Sequence, residues 1–201
     1  VISTEHVDID KTTIVNIVNS FVGCYLQEVP KYSAVKVNGK KLYEYARNNL
    51  EVELPSRLVN IYNIEIIDNI NYAEGFVHFK IKTKVSKGTY IRSLVRDIGD
   101  RLGVPAVMNS LVRNTQGNFT IDQAFSIDDI KHGNYKLISI IDAFPNLQRI
   151  VVDDNMAFKI KNGVIVDSFF DGDKAFILDN KKNLIAIYEN IDGKSRVYKM
   201  F

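Results

Sequence analysis

The sequence predicts an α+β protein: a mostly antiparallel sheet with packed helices, followed by a small all-β C-terminal domain. Three observations carry this prediction. Two apolar-alternating runs, 57–68 and 76–85, are separated by a polar turn around residues 69–75, the pattern of paired antiparallel strands. Residues 89–102 place Ile91, Leu94, Val95, Ile98 and Leu102 at helical spacing until Gly103, which gives a helix with one core-facing stripe and a glycine stop. After "DAFPNLQ" at 142–148 the chain changes to short strand-like runs punctuated by Asp171-Gly172, Asn180 and Asp192-Gly193, the spacing of a small β unit.

Taken in order, Val1-Ile2 reads as strand-like and starts the sequence without a Met. Asp10 reads as an N-cap for a helix carrying Ile14, Ile17, Val18 and Phe21, with Gly23 ending the run. Residues 32–37 read as a short strand, Asn38-Gly39 as a tight turn, and 40–47 as a short polar helix ending near Asn48-Asn49. Beyond the 89–102 helix, 105–111 is a short apolar element, "VRNTQGNFT" is turn-rich and then strand-like, and Ser126 with Asp129 resembles a helix N-terminus. The final strands are expected at 164–170, 175–178, 184–188 and 196–201.

Composition narrows the function class. A chain of 201 residues with 46% hydrophobic and 25% charged residues is a folded, soluble protein. Its net charge of +2 leaves only a weak overall field, so any nucleic-acid surface must be a local patch. Cys24 is the only cysteine, and His6, His78 and His132 are far apart without ligand-like spacing. We therefore expect a reducing compartment, no intrachain disulfide and no structural metal. No apolar run is long enough to span a membrane, and the N-terminus lacks a basic-then-apolar signal pattern.

Two constellations could carry chemistry. "KVSKGTYIRSLVRDIGDRLG" (84–103) places Tyr90 and Arg92 where a strand becomes a helix. An Arg in the first turn opposes the partial positive charge there, so a carboxylate or phosphate partner would explain it. Gly88 permits a sharp turn, and Tyr90 offers a flat face and a hydroxyl. A snorkelling Arg beside a half-buried core Tyr explains the same residues without a ligand. On the helix's outer face, Arg96 and Asp100 stand at i, i+4 spacing and can pair. The second constellation interleaves Lys31, Lys36, Lys40, Lys41 and Arg47 with Tyr32, Tyr43 and Tyr45 around Asn38-Gly39. Cations for phosphates and aromatics for unpaired bases suit an RNA-gripping loop, and a merely solvated hairpin fits the composition as well.

"QEVPKYSAVKVNGKKLYEYAR", "SRLVNI", "VSKGTYIRSLVRDIGDRLG" and "LVRNTQGNF" occur in this order between about Phe21 and Phe125. Together they resemble the TruB-type tRNA pseudouridine-55 synthases. The tail, through "IKNGVIV" and its β pattern, resembles the PUA-like C-terminal domain of bacterial members. The resemblance implies a pseudouridine synthase fold over 1–147, a thumb-like RNA-binding insert at 29–49 and a PUA-like domain over 148–201. It implies isomerisation of uridine 55 in the T-loop of transfer RNA, without cofactor or metal, in the cytoplasm. Tyr90 would contact the flipped-out base and serve the proton transfer at C5. Arg92 would pair with the catalytic aspartate, and Leu111 would pack beside the pocket. Lys31, Tyr32, Lys36, Lys40, Lys41, Tyr43, Arg47 and Lys87 would contact RNA.

One departure stands beside the matches. The family's GxLDPxAxGVL-type motif, which carries the nucleophilic aspartate, does not occur in this sequence. We therefore expect the C-terminal portion of a synthase, inactive alone, with Arg92 solvated or bound to an anion. An unpaired sheet edge or exposed apolar patch should then invite self-association. The rival classes are a non-catalytic RNA-binding module of the same family and an interaction domain that binds no RNA.

Overall fold

The computed structural model describes residues 8–201. The strand-like reading of Val1-Ile2, and His6, lie outside the described residues. The chain divides into two compact units, Val1–Leu111 and Val112–Phe201.

In the first unit, helix α1 (Lys11–Asn19) starts where expected, because the Asp10 carboxylate accepts the Thr13 backbone N–H. Strand β1 (Gly23–Glu28) follows, where the sequence suggested no strand. Its alternation is inverted: exposed positions hold Cys24 and Leu26, and the buried position next to them holds Gln27. A period-2 hydrophobic pattern therefore had nothing to report. Strand β2 (Ser56–Ile66) is central and antiparallel to both neighbours, β1 and β3 (Ile81–Val85), in the order β1-β2-β3.

The 76–85 run is two strands and not one. Phe76–His78 pairs back on Asn71–Ala73 as a separate hairpin, while Ile81–Val85 joins the main sheet. Alternation continues through both pieces, so the sequence could not show that the pairing partner changes between them. The 32–37 strand likewise shrinks to Lys36–Val37, paired with Lys40–Lys41. Asn38 and Gly39, at φ 49° and 79°, supply the two left-handed positions of that tight turn. Helix α2 (Leu42–Arg47) completes the insert.

Helix α3 (Ile91–Leu102) packs Leu94 and Ile98 with Ile14, Val18 and Phe21 of the α1 region and Ile61 and Ile64 of β2. Gly103, at φ 74°, ends it in the left-handed conformation. The apolar element expected at 105–111 forms no regular structure, and most of its side chains are exposed.

The second unit opens with a short hairpin, Thr115–Gln116 against Phe119–Thr120, and the helix Ile127–Lys131, in which Ser126 and Asp129 form the expected reciprocal cap. Its sheet has five strands: β4 (Gln148–Val151), β5 (Val166–Asp167), β6 (Lys174–Leu178), β7 (Leu184–Ile191) and β8 (Lys194–Met200). They lie in the order β4-β6-β7-β8-β5, with β4 parallel to β6 and every other pair antiparallel. Strand β4 and helix α4 (Asp154–Lys161) are additions to the all-β expectation, and the 164–170 strand is only Val166–Asp167. Ala157 and Ile160 of α4 pack with Ala175, Ile177 and Tyr188 of the sheet. The buried Tyr188 hydroxyl donates to the Val164 carbonyl at 3.0 Å, which removes the penalty of an unpaired polar group in that core.

Candidate functional site

The corner between β3 and α3 is built by short polar contacts. Ser86 donates its N–H to the Asn60 carbonyl at 2.8 Å, and its hydroxyl accepts the Asn60 N–H at 2.9 Å. These bonds continue the β2–β3 ladder one residue past the strand. Thr89 folds back, its hydroxyl donating to the Ser86 carbonyl at 2.9 Å. Gly88 sits at φ 89°, a backbone state that L side chains rarely adopt. The glycine expected to make the turn sharp does so.

Tyr90 occupies the N-cap position of α3 in extended conformation, and its own side chain caps nothing. Instead, the backbone N–H of Tyr90 donates to the side-chain Oε1 of Gln27 at 2.8 Å. Its ring is half-buried. Arg92 remains exposed, and its Nη2 donates to the main-chain carbonyl of Tyr32 at 2.9 Å. Solvent or an anion was the expected partner; a carbonyl of the 29–49 insert is the one found. A neutral acceptor only partly satisfies a guanidinium with five N–H donors, so most of its binding capacity is still available.

The insert is pinned to itself by local bonds. Leu42 N–H donates to the Val35 carbonyl at 2.8 Å, Tyr43 N–H to the Ser33 carbonyl at 3.1 Å, and the Tyr45 hydroxyl to the Val37 carbonyl at 3.0 Å. Leu42 and Ala46 are buried beneath these bonds. Lys31, Lys36, Lys40, Arg47 and Lys87 are exposed. Tyr43 already carries two cations near its ring, Lys41 Nζ at 5.5 Å and Arg47 Cζ at 5.3 Å from the centroid. Tyr32, 60% exposed, is the insert's open aromatic face. Leu111 is 56% exposed and belongs to neither hydrophobic cluster. A shallow concavity at the insert is lined by Lys31, Glu51, Val52, Glu53 and Leu54, and its two carboxylates disfavour a polyanion.

Sequence reasoning missed a polar network behind Tyr90. Gln27, 1% exposed, donates from Nε2 to the Tyr25 hydroxyl at 2.6 Å, and that hydroxyl donates to Asp97 Oδ2 at 3.2 Å. Asp97 and Glu28 each hold Arg96 at 2.8 Å, whereas Asp100, the i, i+4 partner expected, is 4.0 Å away. Ser93, also buried, donates to the Glu28 carbonyl at 2.8 Å. Burial and the Asp97 charge push the Tyr25 hydroxyl up to about 12. Burial pulls the Arg96 guanidinium down, but the bond to Asp97 and the charges of Asp97, Glu28 and Asp100 outweigh it and raise its pKa. No local sequence signal marks this network, because its members lie on β1 and α3, far apart in the chain.

Among the described residues, no group of three or more His, Cys, Asp or Glu is placed to hold a metal ion. Among the same residues, no helix is long and apolar enough to cross a membrane.

A family model described as TruB family pseudouridylate synthase (N terminal domain) matches residues 1–91. The chain is 36% identical over 193 residues to tRNA pseudouridine synthase B of Bacillus subtilis (strain 168), covering 90% of this chain and 62% of that protein. It is 37% identical over 201 residues to the Bacillus cereus protein of the same name, covering 94% of this chain and 66% of the relative. Staphylococcus saprophyticus supplies another such relative, 39% identical over 194 residues, with 94% and 61% covered. The chain thus spans about 62% of the length of the curated relatives it matches. Among solved structures, a Cbf5-Nop10-Gar1 complex superposes with a TM-score of 0.61 at 23% identity, over 92% of this chain and 57% of that one. An H/ACA RNP bound to a substrate RNA containing 2'-deoxyuridine gives 0.63 at 21%, over 98% and 63%. These two likenesses establish the fold, a mixed, mostly antiparallel pseudouridine synthase architecture. With that fold, the matched family model and relatives above one-third identity over nine-tenths of the sequence, the chain belongs to the TruB family of pseudouridylate synthases.

Proposed function

We propose that this chain serves a tRNA pseudouridine synthase that converts uridine 55 of the T-loop, supplying the base-facing corner and the RNA-gripping insert. One observation carries the reading. Arg92, two residues after Tyr90, reaches the Tyr32 carbonyl, which joins the corner to the exposed cations of the insert. Base recognition and phosphate recognition then share one surface, as RNA modification requires. In the reaction the C1'–N1 bond breaks, the C1'–C5 bond forms, N1 gains a proton and C5 loses one. Tyr90 contacts the flipped-out base near C5. Arg92 holds a nucleophilic carboxylate ionised by charge-assisted pairing, exchanging the Tyr32 carbonyl for that stronger acceptor. Lys31, Lys36, Lys40, Lys41, Arg47 and Lys87 neutralise phosphates of the T-stem-loop, and Tyr32 and Tyr43 offer ring faces near it. Leu111 would pack at the pocket only when RNA covers it.

Residues 148–201 act as a PUA-like domain that adds RNA contacts, with 1–147 belonging to the catalytic part. The compartment we propose for this activity is the cytoplasm. Leu26 and Leu58, directly paired on β1 and β2 and each 70% exposed, favour association with a second copy, which sedimentation of the purified chain reads directly.

No residue of this sequence carries the nucleophile's motif, so the 201-residue chain alone should release no tritium from transfer RNA labelled at uridine C5. The complete gene product encoding these residues should release it from position 55. Release by the chain alone would place the nucleophile within it. RNA binding without release by the complete product would favour the second reading, a non-catalytic RNA-binding module, which the missing motif otherwise supports.

A further inference from the structure

We propose that Gln27 is a positioning residue for Tyr90, a proposal that rests on the function above and names what holds its base-facing residue in place. Every bond around this buried amide has one possible direction. The Tyr90 backbone N–H can only donate, so Oε1 of Gln27 must face it, at 2.8 Å. The Asp97 carboxylate accepts from the Tyr25 hydroxyl at 3.2 Å, which leaves that oxygen to accept from Gln27 Nε2 at 2.6 Å. The amide is therefore locked in a single orientation by groups on both sides.

The lock is placed where α3 lacks a cap of its own. Tyr90 is the N-cap residue, and no side chain of the helix start accepts its first N–H groups. Gln27, from a different element, takes that place. The next residue of β1 adds two further attachments, from Ser93 to the Glu28 carbonyl and from Arg96 to the Glu28 carboxylate. The insert leaves β1 directly after these residues and returns to the same helix through Arg92 and Tyr32. Gln27 thus sets the position of Tyr90 relative to the root of the insert. An apolar side chain of similar shape would fill the space, yet leave the Tyr90 N–H unpaired and free to shift. A shift of about 1 Å in a reacting geometry is enough to cost about a hundredfold in rate.

The test uses the complete gene product with Gln27→Met and Gln27→Glu. For Gln27→Met we expect transfer-RNA affinity within about twofold of the parent, a single-turnover rate about ten- to a hundredfold lower, and faster hydrogen exchange at the Tyr90 amide. A folded Gln27→Met protein with the parent rate and an equally protected Tyr90 amide would overturn the proposal. Gln27→Glu keeps it testable if the Met variant does not fold. While neutral, the introduced carboxyl group reproduces both bonds, and burial favours that neutral form. Once ionised, it would draw the Tyr25 hydroxyl away from Asp97, with Arg96, Glu28, Asp100 and Arg101 the other charges around the network. The single-turnover rate of Gln27→Glu should therefore approach the parent's at low pH and fall as pH rises, relative to the parent at each pH. A rate ratio independent of pH would also overturn the proposal. If the parent itself isomerises no uridine, the functional reading fails, and exchange at Tyr90 alone decides the role of Gln27.

Discussion

Tyr25 stands half-buried on β1, edge-on to Phe21 with ring centroids 5.4 Å apart, its hydroxyl between Gln27 and Asp97. Because burial and the Asp97 charge raise its pKa to about 12, the folded protein keeps this proton after an unfolded chain, titrating near 10, has lost its own. The unfolded state then binds fewer protons, so the hydroxyl's contribution to stability is present below about pH 10 and lost as pH rises toward 12. Tyr25→Phe removes that dependence. The difference in urea midpoint between parent and Tyr25→Phe should therefore be flat at about pH 8 to 9 and shift against the parent above about pH 10. A difference that stays flat to about pH 12 would mean the hydroxyl is open to solvent. Tyr90 and Arg92 were legible as candidates because an aromatic and a cation at a helix start conflict with the local preferences of the chain. Gln27 was not: a glutamine in a short strand conflicts with nothing until its burial is known.

Helix α3 depends on a glycine in its interior. Gly99 is buried, and a Cβ there would lie 2.6 Å from the Ala106 Cβ and 2.6 Å from the Val104 carbonyl oxygen. The chain after Gly103 turns back and lies against the helix at this point, and one of the two obstructing atoms is backbone, which cannot rotate away. Gly99→Ala would gain about 1 kcal/mol of helix propensity, but overpacking typically costs about 1–3 kcal/mol. Because the contact is so short we expect the second effect to win, with net destabilisation of about 1–2 kcal/mol read from the urea midpoint. A stabilised variant would show that residues 104–106 move aside freely. At this scale the helix itself was readable from its stripe and from Gly103. The strand β1 beside it was not, because it exposes Leu26 and buries Gln27, the reverse of what alternation implies. The 76–85 run was half-read, since alternation fixes which side chains share a face but not which strand they pair with.

Over the whole molecule the net charge of +2 makes any RNA binding a local matter. The exposed cations of the insert should dominate the salt dependence, each neutralised phosphate contributing a slope of roughly 0.7 to 0.9 in log affinity against log salt. Lys36→Ala, Lys40→Ala and Lys41→Ala together should lower the magnitude of that slope for transfer RNA by about two units, since three full contacts would give about 2.1 to 2.7 and Lys41, already drawn toward the Tyr43 ring, contributes less than a full share. An unchanged slope would move the phosphate contacts to the second unit or to Lys87. The insert's composition suggested an RNA grip from the start, while a solvated hairpin fitted equally well. The bond from Arg92 to Tyr32, which only the tertiary structure shows, ties the insert to the corner.

The sequence by itself determined α1 with its Asp10 cap, α3 with its Gly103 stop, the Ser126–Asp129 cap, the Asn38-Gly39 turn, the family and the residues proposed to face a base or a phosphate. Those features depend on neighbours within a few residues, where backbone preference and side-chain spacing are written directly into the chain. Tertiary structure alone decided the pairing of β1 with β2, the separation of the 71–78 hairpin and the exposed Leu26–Leu58 pair. It alone also decided the hydrogen bonds that join Gln27 to Tyr90 across 63 positions and Arg92 to Tyr32 across 60. Such contacts depend on strand register and on the packing of α3 against the sheet, and a buried polar side chain acquires its partner only when that register is set.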